Sequence, residues 1–122
     1  MPSLNRCAII GNVGKDPEMR FTPSGKPVTG FNVATNEKFG DNDHTEWFTV
    51  ITWNKLAETC NKYISKGQQV YVEGRFQTRS WEGDDGVKHY KTEVIANKVL
   101  FLGQRKQEES EESKEDTGED LF

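Results

Sequence analysis

Five stretches of the chain alternate apolar and polar positions, and one stretch carries the spacing of a helix. Arg6 to Val13 (Arg-Cys-Ala-Ile-Ile-Gly-Asn-Val) reads as an apolar strand broken at Gly11, where a bend or bulge is expected. After turns at Gly14–Pro17 and Pro23–Pro27, Val28 to Thr35 alternates as a second strand. Asn36 to Asp43 reads as a polar loop with one aromatic, Phe39, and Glu46 to Trp53 as a third strand. Asn54 is placed to cap a helix on which Leu56, Cys60, Tyr63 and Ile64 share a side, with Lys66-Gly67 ending it. Gln68 to Trp81 is long for one strand, and Gly74 lets it bend. Glu82–Gly86 is a hairpin tip, and Tyr90 to Leu102 returns as the last strand.

Strands in this order predict an all-β fold. It is a five-stranded Greek-key barrel of the OB type, with one α-helix between strands 3 and 4. An open α+β sandwich is the alternative. Beyond Gly103 no aliphatic or aromatic residue occurs before Leu121, so residues 104–120 cannot bury enough surface to fold. The domain therefore spans 1–103, followed by a short charged, disordered linker at 104–117 and an acidic tip at 118–122.

Side chains on a strand alternate between faces, which divides the aromatic residues. Phe48, Val50 and Thr52 supply a core side of the third strand, and Val70, Val72 and Phe76 do so for the fourth. Trp47, Thr49, Ile51 and Trp53 fall on the opposite side of one strand; Arg75, Gln77, Arg79 and Trp81 fall together on the other. Exposed aromatic rings beside guanidinium groups suit a single-stranded nucleic acid, which offers flat bases and a charged backbone. Parity alone leaves core packing open for these tryptophans, and ordinary surface charge open for each basic residue. Tyr71 shares the arginine parity or lies at a subunit interface, and Arg20 follows a turn of unspecified orientation.

Charge at first opposes that reading, because the formal net charge is −4. Its distribution reverses the conclusion. Residues 1–106 hold 15 Lys/Arg against 12 Asp/Glu, and residues 107–122 hold one Lys against eight Asp/Glu, so a body of +3 carries a tail of −7. No apolar run approaches the roughly 18–20 residues of a membrane span, and Met-Pro-Ser-Leu-Asn-Arg has no apolar signal segment, so no membrane partner and a cytoplasmic location are expected. Cys7 and Cys60 lack metal or redox spacing and read as free buried thiols.

Catalytic chemistry finds little support, and neither a metal nor a cofactor is expected. Gly11-Asn-Val-Gly14-Lys15 places its glycines too close for a phosphate loop, and Asp16 stands where Ser/Thr is needed. Asp41-Asn-Asp43 suggests calcium, yet Glu46 occupies the required glycine position. His44 and His89 are lone histidines with no visible partner. The competing classes are an OB-fold RNA-binding protein, a peptide-binding adaptor, and a nuclease or helicase subunit lacking its ligands.

The segments Asn12-Val-Gly-Lys-Asp-Pro-Glu18, Thr45-Glu-Trp47, Lys55-Leu-Ala-Glu58, Lys66-Gly-Gln-Gln-Val-Tyr-Val-Glu-Gly74, Thr78-Arg-Ser-Trp81 and Tyr90-Lys-Thr-Glu-Val94 occur in a telling order. Together they resemble the bacterial single-stranded DNA-binding proteins from about Leu4 to Gly103. The resemblance implies base stacking on Trp47, Trp53 and Trp81, with Phe39 where family members often carry another tryptophan. It also implies basic contacts at Arg6, Lys55, Lys66 and Arg79, to which parity adds Arg75. A homotetramer, a nucleoid-associated location and roles in replication, recombination and repair are implied as well. The end Gly118-Glu-Asp-Leu-Phe122 is similar to the family's acidic, Phe-terminated tip. That likeness assigns Glu119, Asp120, Leu121 and Phe122 to docking of replication and repair proteins. Leu121 stands where the family usually has proline, and the linker is short and charged rather than rich in Gly, Pro and Gln.

Overall fold

The computed structural model describes residues 1–102; the linker and the tip residues Glu119, Asp120, Leu121 and Phe122 lie outside the described residues. Six strands and one helix follow in the order β1 (Cys7–Val13), β2 (Glu18–Phe21), β3 (Pro27–Phe39), β4 (Asn42–Trp53), α1 (Asn54–Tyr63), β5 (Gln69–Glu82) and β6 (Lys88–Phe101). The sheet order is β1-β5-β6-β4-β3-β2, and β1 also pairs with β3 at Asn12–Ala34 and Val13–Val33. That last pairing closes β1, β3, β4, β6 and β5 into a five-stranded barrel, with β2 added at an outer edge of β3. The predicted barrel is present, with its helix between the third and fourth barrel strands.

Inward positions of the barrel strands meet in one core of Ile9, Val13, Phe31, Val33, Val50, Val70, Val72 and Val94, which Cys60 of α1 and Ile64 just after it join. β-Branched residues dominate because they fit a pleated, two-sided environment. Buried Thr29 ties the helix to the sheet, its hydroxyl donating to the Ala57 carbonyl at 2.7 Å, and buried Thr52 of β4 donates its hydroxyl to the Thr29 carbonyl of β3 at 2.9 Å. Tight curvature comes from Gly11 and Gly74, where an added Cβ would run into the carbonyl oxygens of Ala34 and Ile95 respectively. At Gly74 the β5–β6 register also slips by one residue.

Several local expectations are corrected. Residues 36–43 form no loop: β3 continues to Phe39, β4 starts at Asn42, and Gly40 at φ 65° opens a two-residue turn. Asn54 makes no side-chain cap; it is the first helical residue, at φ 53°, a conformation asparagine tolerates where the chain turns out of β4. Tyr63 is part-exposed rather than in the core, and Ala57, absent from the expected stripe, is fully buried. Phe76 is 38% exposed rather than core: it lies opposite Val94 at the end of the barrel, where β1, which pairs with β5 only as far as Gly74, no longer flanks it. Asn5 extends the sheet there, its side-chain amide exchanging hydrogen bonds with the Phe76 backbone at 2.9 and 3.0 Å.

Cys7 is half-buried and Cys60 fully buried. Burial pushes the Cys60 thiol from about 9 up to about 12, against an opposing hydrogen bond with Thr52. Between those values the unfolded chain loses the proton while the folded chain keeps it. The contribution is therefore fully present below pH 9 and declines as pH rises toward 12. Unfolding free energies from urea titrations between pH 8 and 10.5 are expected to fall more steeply for the parent than for Cys60→Ala, by up to about 1.4 kcal/mol per pH unit.

Candidate nucleic-acid interface

Strand register assembles one continuous outward face. On β4, Trp47, Thr49, Ile51 and Trp53 lie opposite Ala34, Asn32, Gly30 and Val28 of β3. Ile51 is then the parallel neighbour of Ile95 on β6, and Ile95 lies opposite Arg75 on β5. From Arg75 the row Gln77, Arg79, Trp81 runs out along β5 beside Glu93, Lys91 and His89. β4 and β6 pair only at Val50–Val94 and Ile51–Ile95, so the two hairpin arms diverge from that junction. An open groove lies between them, with Ile51, Thr49, Arg79, Lys91 and Glu93 among its walls. It continues into a second groove that reaches Trp53, Arg75 and Gln77.

The three tryptophans are on this surface. Trp47, Trp53 and Trp81 are 58%, 41% and 42% exposed, which removes core packing as their role. Six residues of strand separate Trp47 from Trp53, roughly 20 Å along β4. Trp81 carries company on its strand pair: the Arg79 guanidinium sits 4.9 Å from its ring centroid, and the His89 ring stacks at 5.6 Å. Arg79 is itself anchored, its Nε donating to Glu93 Oε2 at 3.1 Å. Glu93 is the one carboxylate among the buried described residues, and its position fixes where the guanidinium lies. Arg75 is held similarly, one guanidinium nitrogen donating to Gln77 Oε1 at 2.9 Å.

Other expected residues fall elsewhere. Phe39 is 60% exposed at the end of the β3–β4 arm, but its strand parity is that of Val33, opposite to Ala34 and Trp47. Its ring lies 6.3 Å from that of His44 on the same side of the ribbon. Arg6 precedes β1 and lies 3.7 Å from Glu73, which has the strand parity of Arg75 on β5 and also accepts the Tyr71 hydroxyl at 2.8 Å. That hydrogen bond raises the Tyr71 phenol above its usual pKa. Lys55 is exposed at the start of α1, and Lys66 follows the helix with its backbone N–H on Asp16. Arg20 sits on β2 opposite Val28, at the groove's rim, 3.5 Å from Glu18.

Lys91, His89 and Glu93 were missed as members of the face. Their signal was the alternation His-x-Lys-x-Glu-x-Ile over residues 89–95, readable once Ile95 is known to neighbour Ile51.

Comparison with known proteins gives the chain a family. The model of the "Single-strand binding protein family" matches residues 4–102. The chain belongs to the single-strand binding protein family. Family relatives include "Single-stranded DNA-binding protein 1" of Chlorobaculum tepidum, 45% identical over 106 residues, covering 82% of this chain and 65% of that protein. The "Single-stranded DNA-binding protein" of Neisseria meningitidis serogroup A is 41% identical over 108 residues, covering 84% and 62%. The chain thus spans less than two thirds of the length of these two relatives. Among solved structures, a Plasmodium falciparum SSB complex with ssDNA superposes with a TM-score of 0.77 at 32% identity, over 84% of this chain and 97% of that one. The family match thus spans the whole barrel and all six strands of the described residues.

Proposed function

We propose that this chain binds single-stranded DNA with little sequence preference, coating and protecting it in replication, recombination and repair. The observation that carries the reading is the outward face itself. Three part-exposed tryptophans share that face, and Trp53 lines one connected groove with the two anchored arginines on a barrel of the single-strand binding family. Bases stack on Trp47, Trp53 and Trp81, and every base offers a π-face, so sequence matters little. Arg75, Arg79 and Lys91 take phosphates along the groove, with Lys55, Lys66 and Arg6 meeting a strand that wraps farther round the barrel. Phe39 adds a contact where the strand passes the tip of the β3–β4 arm. The relatives named for single-stranded DNA, and the neighbour solved with it, favour DNA as the ligand.

The remaining parts of the reading concern assembly and partners. A homotetramer is supported by the outer edge of β1, unpaired over residues 7–11, beside the exposed Ile10. The acidic tip Glu119-Asp-Leu-Phe122 recruits replication and repair proteins in a cytoplasmic, nucleoid-associated setting. Anisotropy competition among oligo(dT), oligo(rU) and duplex DNA of equal length tests the ligand class. Preference for oligo(dT) supports the reading, and equal or tighter binding of RNA contradicts it. The arginines give a separate prediction. Gln at both 75 and 79 keeps a donor for Glu93 yet removes two cations. The slope of log affinity against log salt should flatten by about 1.4 if each of the two arginines takes a phosphate.

A further inference from the structure

Trp47 does not stand free on its strand; it rests on the turn after β1. A Cβ built on Gly14 would lie 2.5 Å from Cζ3 and 2.8 Å from Cη2 of the indole, so the benzo edge occupies the space a side chain would take. Gly14 is not among the glycines at positive φ, and its nearest neighbours are ring atoms rather than backbone. Only the tryptophan requires a glycine there. The backbone beneath the ring is pinned on both sides. Gly14 N–H donates to the Asn32 carbonyl at 3.0 Å, Val13 N–H donates to Gln68 at 2.9 Å, and the Val13 carbonyl accepts from Gly67 at 2.8 Å. Across the ladder, Ala34 faces outward opposite Trp47 and is nevertheless only 9% exposed.

We propose that Gly14, together with Ala34, is a seat that positions the Trp47 ring for stacking on a base of single-stranded DNA. This rests on the binding reading above. Because the seat's backbone is fixed by hydrogen bonds from β3 and from the segment before β5, a methyl at position 14 displaces the ring rather than the chain. Gly14 acts through Trp47 and makes no nucleic-acid contact of its own. The position therefore controls the orientation of one stacking platform while leaving the barrel core untouched.

The test is a double-mutant cycle with Gly14→Ala, Trp47→Thr and the combined variant. It is read by anisotropy with labelled oligo(dT), by thermal midpoint, and by the near-ultraviolet circular dichroism of the free protein. Gly14→Ala should weaken binding by about tenfold, within the range of one disturbed base–ring stack. It should also alter the near-ultraviolet signal that Trp47→Thr removes. In the Trp47→Thr background the same alanine should change affinity by less than about twofold. A parent-like Gly14→Ala beside a weakened Trp47→Thr overturns the seat alone, as does an equal loss in both backgrounds. If Trp47→Thr binds oligo(dT) as the parent does, the binding reading fails at this ring and the proposal falls with it. A fall in thermal midpoint that persists in the combined variant would assign Gly14 a role in the fold instead.

Discussion

Gly74→Ala is expected to destabilise the barrel by about 3 kcal/mol or more, at the upper end of what overpacking costs. The added methyl would meet the Ile95 carbonyl and approach the Ala96 Cα to 2.8 Å, and neither is a side chain that can turn away. Both belong to β6 at the register slip where β5 bends out of the barrel, so relief requires parting the two strands. Against a domain stability of roughly 5–15 kcal/mol, that loss is a large share. Gly30→Ala is the matched control, since its Cβ would meet Ile51 Cδ1 at an ordinary 3.5 Å. Urea denaturation should show a much lower midpoint for Gly74→Ala and a nearly unchanged one for Gly30→Ala. Equal midpoints would mean the bend at Gly74 has room the packing does not reveal.

Removing all three tryptophans should have the opposite signature, with binding lost and fold retained. Trp47, Trp53 and Trp81 each leave about two fifths or more of their surface outside the core. Threonine at each position keeps a β-favouring side chain, so the strands lose little intrinsic preference. Stacking contributes roughly 1–3 kcal/mol per base, so three lost rings should weaken oligo(dT) binding by at least about 100-fold. Circular dichroism and the urea midpoint should stay close to the parent's. A triple variant that binds within a few fold of the parent would return the burden of binding to charge alone. The salt slope would then be the property to examine.

The barrel was legible in the sequence wherever one side of a strand faces the core. Phe48, Val50 and Thr52 alternate with Trp47, Ile51 and Trp53, and the structure keeps that division. The α1 stripe was legible for the same reason through Cys60 and Ile64. Legibility ended where the core ended. Residues 36–46 are strand on both sides of the Gly40 turn, yet both faces meet solvent, so no two-residue period is written into them. β2 is four residues with only Met19 partly buried, too little pattern to separate from a turn. Phe76 kept its apolar identity at the end of the barrel, where β1 no longer flanks β5.

The face was half legible. Strand parity grouped Trp47 with Trp53 and Arg79 with Trp81, but joining the two rows needed the parallel Ile51–Ile95 contact, which no local pattern encodes. Phe39 shows the limit from the other side. Its place in sequence matched a stacking residue, while its register puts it on the far side of the ribbon from Trp47. The buried Glu93 beneath Arg79 was invisible as well, because a carboxylate is buried only when a tertiary partner arrives to pair it.

Binding at this face depends first on bases stacking against the exposed indoles. Intrinsic tryptophan fluorescence, titrated with oligo(dT), reads that contact without labels, since all three tryptophans lie on the proposed face. Strong, saturable quenching that Gln at Arg75 and Arg79 weakens is the predicted result. Unchanged fluorescence at oligo(dT) concentrations well above micromolar would contradict it.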